Sequence, residues 1–247
     1  MHAHLPRTMS LIKDSWSAFI QTWDVTVRYS AWMILISVIQ VLPTVIPFPQ
    51  PEYELVATIV AVAIGVAIGL WATNALYLAT LALEKKEHVT PKTTAPAIML
   101  IWPLLLIELL NGIATLGAAL FFILPGIYVA IRLGFGQLEL YSKGLRGRDA
   151  LKASWNLTQN KFWAIAGRWA AGGLVFGLFS LAIMALAVFI VQVVAGNELA
   201  AAMKEENNAT GNAAFSIISG IVQAAVLPLF VVFEVKLYRA LEHTRSS

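Results

Sequence analysis

Cysteine is absent from the 247 residues, and the four histidines, His2, His4, His88 and His243, sit near the termini or in a polar stretch. The chain therefore offers no thiolate for zinc, iron–sulfur or haem chemistry and no thiol nucleophile. It also carries no Gly-x-Ser-x-Gly elbow, no glycine-rich loop ahead of a Lys-Ser/Thr pair, and no histidine–carboxylate cluster. Neither an enzyme nor a metal or other cofactor is expected. Charge is scarce too: Asp, Glu, Lys and Arg make up 13% of the chain, against roughly 25% in a soluble domain. What fills the space is apolar, 59% of residues, with mean hydropathy +0.74. A surface that greasy has to face lipid. The opening MHAHLPRTMS lacks the charged-then-apolar order of a cleavable signal, so insertion is expected to rest on the first spanning helix.

A spanning helix needs about 20 mostly apolar residues. Six stretches qualify: 27–47, 54–83, 96–123, 126–143, 163–195 and 212–241. The expected fold is all-α and polytopic, a single membrane domain over residues 1–247 with six transmembrane helices in three hairpins. Four of the breaks are polar or proline-rich. The fifth, Leu124-Pro125-Gly126, is only three residues long and reads either as a tight hairpin or as a kink.

Cations fix the expected orientation, because Lys and Arg accumulate on cytoplasmic connections. Fourteen of the seventeen fall in the N-terminal arm, the 84–95 loop, the 143–161 loop and the C-terminal end, which are alternate connections. Only Lys204, beside Glu198, Glu205 and Glu206, falls on the other side. Both termini are expected in the cytoplasm and the chain in the inner membrane. The sequence pI near 9.2 then needs no nucleic acid; anionic lipid headgroups are the simpler partners for the inner loops. Asn208-Ala209-Thr210 matches a glycosylation acceptor, read as coincidence.

Two polar connections carry helical patterns. Ile12, Trp16, Phe19 and Trp23 recur at spacings of four, three and four, and so do Leu151, Trp155, Thr158 and Phe162. These mark amphipathic interfacial helices over residues 10–24 and 148–161. Lys13, Ser15 and Trp16 recur 139 residues later as Lys152, Ser154 and Trp155, which suggests a parallel internal repeat.

The stretch ILPGIYVAIRLGFGQLELYSKGLRGRDALKASWNLTQNKFWAI resembles a broad group of bacterial multi-pass proteins. These include the membrane domain attached to some glycerophosphoryl diester phosphodiesterases and its stand-alone relatives. The resemblance rests on Leu124 to Tyr128, on Arg132, on the basic loop Lys143 to Arg148, and on the Ala150 to Trp155 helix. It covers about a fifth of the chain closely and implies a fold and a location. The 247 residues contain no phosphodiesterase domain, so that activity is not implied.

An unpaired charge at the bilayer centre costs roughly 2.5–3.5 kcal/mol on insertion scales, so intramembrane charges call for partners. Counted from the cytoplasmic ends at 1.5 Å per residue, Glu108 lies about 18 Å in and Arg132 about 17 Å in on the next span. Glu139 and Arg168 lie about 6 and 8 Å in. The expected pairs are Glu108 with Arg132 and Glu139 with Arg168, with Asn74, Asn111, Gln137 and Glu234 completing a polar layer. Such a layer either locks helix register or accepts a headgroup, ion or proton. The first alternative goes with a scaffold whose glycine-rich faces bind other membrane proteins or a second copy. The second goes with transport or handling of an amphiphile.

Overall fold

The computed structural model describes residues 5–203 and 208–246. His2, His4, Lys204, Glu205 and Glu206 therefore lie outside the described residues. Among those described there is no strand, and the chain forms twelve α-helices. They are α1 (Thr8–Gln21), α2 (Trp23–Ser30), α3 (Trp32–Val45), α4 (Pro51–Glu84), α5 (Pro91–Thr94), α6 (Ile101–Ala119), α7 (Ile123–Leu133), α8 (Gly136–Lys143), α9 (Gly147–Leu157), α10 (Phe162–Ala195), α11 (Asn197–Ala202) and α12 (Ala209–Ser246). Six stretches are long and apolar enough to cross a membrane: Trp23–Val45, Pro51–Glu84, Ile101–Ala119, Ile123–Lys143, Phe162–Val194 and Ala209–Thr244. The fold is all-α and polytopic. Its apolar side chains lie outside as well as inside: Leu55, Leu116 and Val193 are each more than 60% exposed. Water would penalise such a surface, and lipid does not.

Local chemistry sets the element ends. Pro51 opens α4 with Glu52 and Glu54 in its first turn, where a missing N–H costs nothing and negative charge suits the helix dipole. Beyond Glu84 the chain turns through Lys86 at φ 60°, and the Glu87 N–H returns to the Ala82 carbonyl at 2.9 Å, satisfying a carbonyl that the helix leaves open. Thr90 and Thr93 form a reciprocal cap around Pro91 to start α5. Gly144, at φ 70°, closes α8, a conformation glycine adopts without a Cβ penalty.

Two expected boundaries are corrected. The hairpin after α6 turns at Leu120 to Phe122, not at Leu124 to Gly126; Pro125 already lies inside the first turn of α7. Proline fits there because the first N–H groups of a helix have no internal acceptor. Gly126 faces back across the hairpin, where an added Cβ would stand 2.7 Å from the Ala119 Cβ. The second correction concerns the span over 126–143, which is two helices, α7 and α8, broken at Gly134 and Phe135. The preceding segment likewise starts its helix at Ile101, after a 3₁₀ turn over Ala95–Ile98.

The chain divides into two compact units. The described residues of Met1–Trp23, Asn74–Leu174 and Leu229–Ser247 form one; those of Asp24–Thr73 and Val175–Pro228 form the other. In the second unit, Gly65 lies against Gln40 and Ile36, and Trp32 meets Trp71 edge-on at 5.2 Å. The first unit holds the larger core: Leu76, Phe135, Leu138, Ile165, Leu229, Phe233, Leu237 and Leu241 are fully buried. Two of its long helices approach closely at Gly172, where an added Cβ would lie 2.7 Å from Phe233 Cζ, whereas Gly173 faces open space. Gly172→Leu is therefore expected to cost about 1–3 kcal/mol by overpacking, and Gly173→Leu close to nothing. Thermal unfolding of the two variants in detergent checks the contrast; equal losses would refute the close approach.

The interfacial helices form at Thr8–Gln21 and Gly147–Leu157. In α1 the stripe buries Ile12 and Phe19 and leaves Trp16 39% exposed; in α9 it buries Leu151 and leaves Trp155 37% exposed. The outer face of α9 carries Arg148, Asp149, Lys152 and Asn156, all exposed. A helix with that division lies at a boundary between apolar and polar surroundings.

Candidate functional site

Five polar side chains converge inside the first unit, from α4, α8 and α12. Asn74 and Tyr77 are one turn apart on α4, Gln137 and Tyr141 one turn apart on α8, and Glu234 projects from α12. Asn74, Tyr77 and Glu234 are buried. The Tyr77 hydroxyl donates to Glu234. Gln137 Nε2 donates to the Tyr77 hydroxyl at 3.0 Å and stands 3.4 Å from Glu234 Oε1. The two tyrosine rings stack at 5.2 Å, and the Tyr141 hydroxyl donates to Asn74 Oδ1 at 2.6 Å. Asn74 Nδ2 in turn donates to the Ala97 carbonyl at 2.9 Å, in the 3₁₀ turn whose backbone is not satisfied by a helix ladder. Every member has a partner, yet no cation pairs with Glu234 among the described residues. A buried carboxylate held only by neutral donors keeps most of its desolvation cost.

Glu108 and Asn111 border this cluster from α6. Glu108 is exposed on its helix and bonds Asn111 one turn on, and Thr115 donates to Asn111 Oδ1 at 3.4 Å. The Glu108 charge is close enough to act on Tyr141 and on Glu234. The polar layer therefore has an enclosed part on α4, α8 and α12, and an open edge on α6.

The expected ion pairs do not form. Glu139, completely buried, pairs with Lys143 one turn along α8, at 2.7 Å. Lys143 also reaches Glu242 at 3.0 Å, and Glu242 reaches Arg239 at 2.8 Å. Local helix spacing favours that i, i+4 partner over Arg168. Arg168 instead donates Nη2 to the Pro6 carbonyl at 2.6 Å and Nη1 to the Ala164 carbonyl at 2.7 Å, so it ties the N-terminal segment to α10.

Arg132 does not meet Glu108. Its guanidinium lies over the Trp155 ring at 4.4 Å from the centroid, with Tyr128 at 5.8 Å. Its own backbone explains the placement. Arg132 is near the end of α7, where the helix breaks, and Ser154 of α9 fills the gap. Ser154 Oγ accepts from the Phe135 N–H at 3.1 Å and donates to the Arg132 carbonyl at 2.9 Å. Arg132 thus sits against the amphipathic helix α9 instead of against Glu108.

Of the residues expected in the layer, the fold brings together Asn74, Gln137 and Glu234, sets Glu108 and Asn111 at its edge, and sends Arg132, Glu139 and Arg168 elsewhere. Sequence reasoning missed Tyr77, Tyr141, Lys143 and the bridging role of Ser154. The signal for the tyrosines was present: Asn74/Tyr77 and Gln137/Tyr141 are polar pairs at i, i+3 and i, i+4, which puts each pair on one helix face. Apart from the cluster, a cavity of about 310 Å³ lies among Gln21, Thr22, Thr80, Lys86 and the Glu84–Lys236 pair; no cluster residue lines it. That ion pair closes at 2.9 Å.

The fold and this layer define a multi-pass α-helical membrane protein with a buried polar cluster. No protein-family model, no curated protein and no solved structure matches the chain.

Proposed function

We propose that this protein binds an amphiphile by its headgroup at the Glu234 cluster and handles or transports it within the membrane, without catalysing a reaction on it. The observation that carries the reading is Glu234: a buried carboxylate in an apolar helix, hydrogen-bonded by Tyr77 and Gln137 and with no cation paired to it among the described residues. A second carboxylate, Glu108, stands at the open edge, and it too has no cation paired to it among the described residues. Two uncompensated carboxylates and a stacked pair of tyrosines suit a cationic headgroup, since ammonium groups gain from both carboxylates and ring faces. The natural class of substrate is a long-chain amine or an amine-bearing lipid.

Oleylamine is the probe, with oleyl alcohol as the uncharged control. Oleylamine is expected to raise the thermal unfolding temperature of the wild-type protein in detergent, and Glu234→Gln is expected to remove most of that rise. Glutamine can still accept from the Tyr77 hydroxyl and drops the charge, so the fold should survive. An equal rise in both proteins, or an equal rise with the alcohol, defeats the proposal.

We place the protein in a bacterial inner membrane with both termini in the cytoplasm, as a relative of the membrane domain found in some glycerophosphoryl diester phosphodiesterases. All Lys and Arg except Arg28 and Lys204 belong to the stretches of the first unit, which supports putting that unit at the cytoplasmic face. Anionic lipids are the partners proposed for it. Since the chain has no cysteine, single cysteines report topology cleanly. At Lys92 or Arg148 they are expected to stay unlabelled by an impermeant maleimide in intact cells, and at Gln50 to react. The reverse pattern would invert the topology.

One observation favours the scaffold alternative. Gly112, Gly117, Gly173 and Gly177 meet no atom within 4 Å of an added Cβ, and open glycine faces let a further helix approach closely. Cross-linking that yields a discrete dimer, lost in Gly177→Leu, would support self-association or a partner helix there.

A further inference from the structure

We infer that Arg132, with Trp155 and Tyr128, is a binding site for a phosphate group at the membrane boundary. Its source is the headgroup of an anionic lipid or free phosphate, and the site is separate from the Glu234 cluster and independent of the reading given to it. Arg132 is only 4% exposed, and its Nε is enclosed with no acceptor in reach. Among the described residues no carboxylate pairs with it, and its cation is met by the faces of Trp155 and Tyr128. Ring faces offset part of the lost hydration, but they accept none of the guanidinium's in-plane N–H bonds. A buried cation in that condition calls for an anion, and guanidinium geometry matches phosphate oxygens two at a time.

The surroundings fit a headgroup. Trp155 and Tyr128 are 37% and 39% exposed, so the aromatic pair that covers the guanidinium is itself at the surface. Phe162 packs against Tyr128 with the rings tilted, centroids 4.9 Å apart, and the neighbouring Trp163 is 83% exposed, which extends an aromatic belt of the kind found at headgroup level. Lys152 and Arg148 project from the outer face of α9 and add positive potential for an approaching anion. Ser154 pins the arginine's backbone carbonyl, and burial against the Trp155 and Tyr128 rings confines its guanidinium. A planar donor held in one place costs little ordering when the anion arrives.

The test is native mass spectrometry on the full-length protein released from detergent. The probes are dioleoylphosphatidylglycerol, which has phosphate but no amine, dioleoylglycerol, which has neither, and inorganic phosphate. The wild type is expected to retain one phosphatidylglycerol per chain in preference to dioleoylglycerol. Arg132→Gln is expected to lower that retention about tenfold or more, the scale for removing one partner of a desolvated charge pair. Lys152→Gln, which removes an exposed charge one turn away, should change it little. Retention of inorganic phosphate with the same dependence on Arg132 would assign the site to the soluble anion, and retention of the lipid alone to the headgroup. Should Arg132→Gln fail to fold, Arg132→Lys, which keeps the charge and loses the fork, is expected to retain the anion several-fold less well. Equal retention by wild type and Arg132 variants, or no preference of the wild type for either phosphate over dioleoylglycerol, overturns the site.

Discussion

Ser154→Ala is expected to cost about 2–3 kcal/mol of stability, far more than a hydroxyl deletion usually does, because it strands backbone groups on another helix. Ser154 is completely buried and is the bridge across the break between α7 and α8. It accepts from the Phe135 N–H and donates to the Arg132 carbonyl. Alanine leaves the N–H enclosed with no acceptor, while the carbonyl keeps only the Thr158 hydroxyl at 3.2 Å. The corresponding residue of α1 is the control. Ser15 is just as buried, but its hydroxyl returns to the Leu11 carbonyl of its own helix at 2.7 Å. That carbonyl stays in the helix ladder without it, and alanine is the better helix former. Ser15→Ala should therefore fall within about 0.5 kcal/mol of wild type. Paired thermal or denaturant unfolding in a fixed detergent measures both. Similar losses at the two serines would show that the bridge carries no special weight, and would remove the reason given for the position of Arg132.

That contrast also marks how far the sequence could be read. The spans were legible because lipid imposes a length and an exclusion of charge, and both are local properties of the chain. The amphipathic helices were legible for the same kind of reason: Ile12 and Phe19, or Leu151 and Thr158, repeat at helical spacing, and the fold buries them. The Ser-Trp identity at 15–16 and 154–155 was visible as well. Its physical meaning was not, because Ser154 works through a break in α7–α8 that no residue in a run of apolar side chains announces. Gly134 and Gly136 flank the break, but glycines are also common at simple helix contacts.

The polar layer was harder. Matching charges by depth assumed straight, full-length spans, so it placed Arg132 opposite Glu108. The helix break and the docking of α9 move Arg132 to a different neighbour, and those are tertiary events. Depth matching also ignored the partner one turn away. Lys143 is four residues from Glu139, close enough to pair along the helix, yet the sequence assigned it to a loop. The three expected residues that the fold does bring together, Asn74, Gln137 and Glu234, share one trait: each is a polar side chain within a largely apolar helix, where the cost of burial calls for a partner.

The pair on α8 gives the second large effect. Glu139 is fully buried, and its one cation among the described residues is Lys143, whose own side chain is 40% exposed. Lys143→Met removes that cation while keeping the length of the side chain, so a carboxylate is left enclosed and uncompensated. The expected cost is about 3 kcal/mol, the low end for breaking a buried pair, because water can still reach the lysine end. Glu139→Gln alone should cost less, since Lys143 keeps Glu242 at 3.0 Å and can turn to solvent. The informative variant is the double change. With Glu139→Gln and Lys143→Met together no charge is stranded, and most of the loss in Lys143→Met should return. The coupling read from the four proteins is expected to be about 2 kcal/mol, within the range for residues in direct contact. Arg168→Gln combined with Glu139→Gln serves as the comparison, because depth alone would have paired those two; their effects should simply add. Unfolding in detergent supplies all the numbers. Additivity for Glu139 with Lys143 and coupling for Glu139 with Arg168 would restore the pairing by depth, and the helix-local pair would have to be given up.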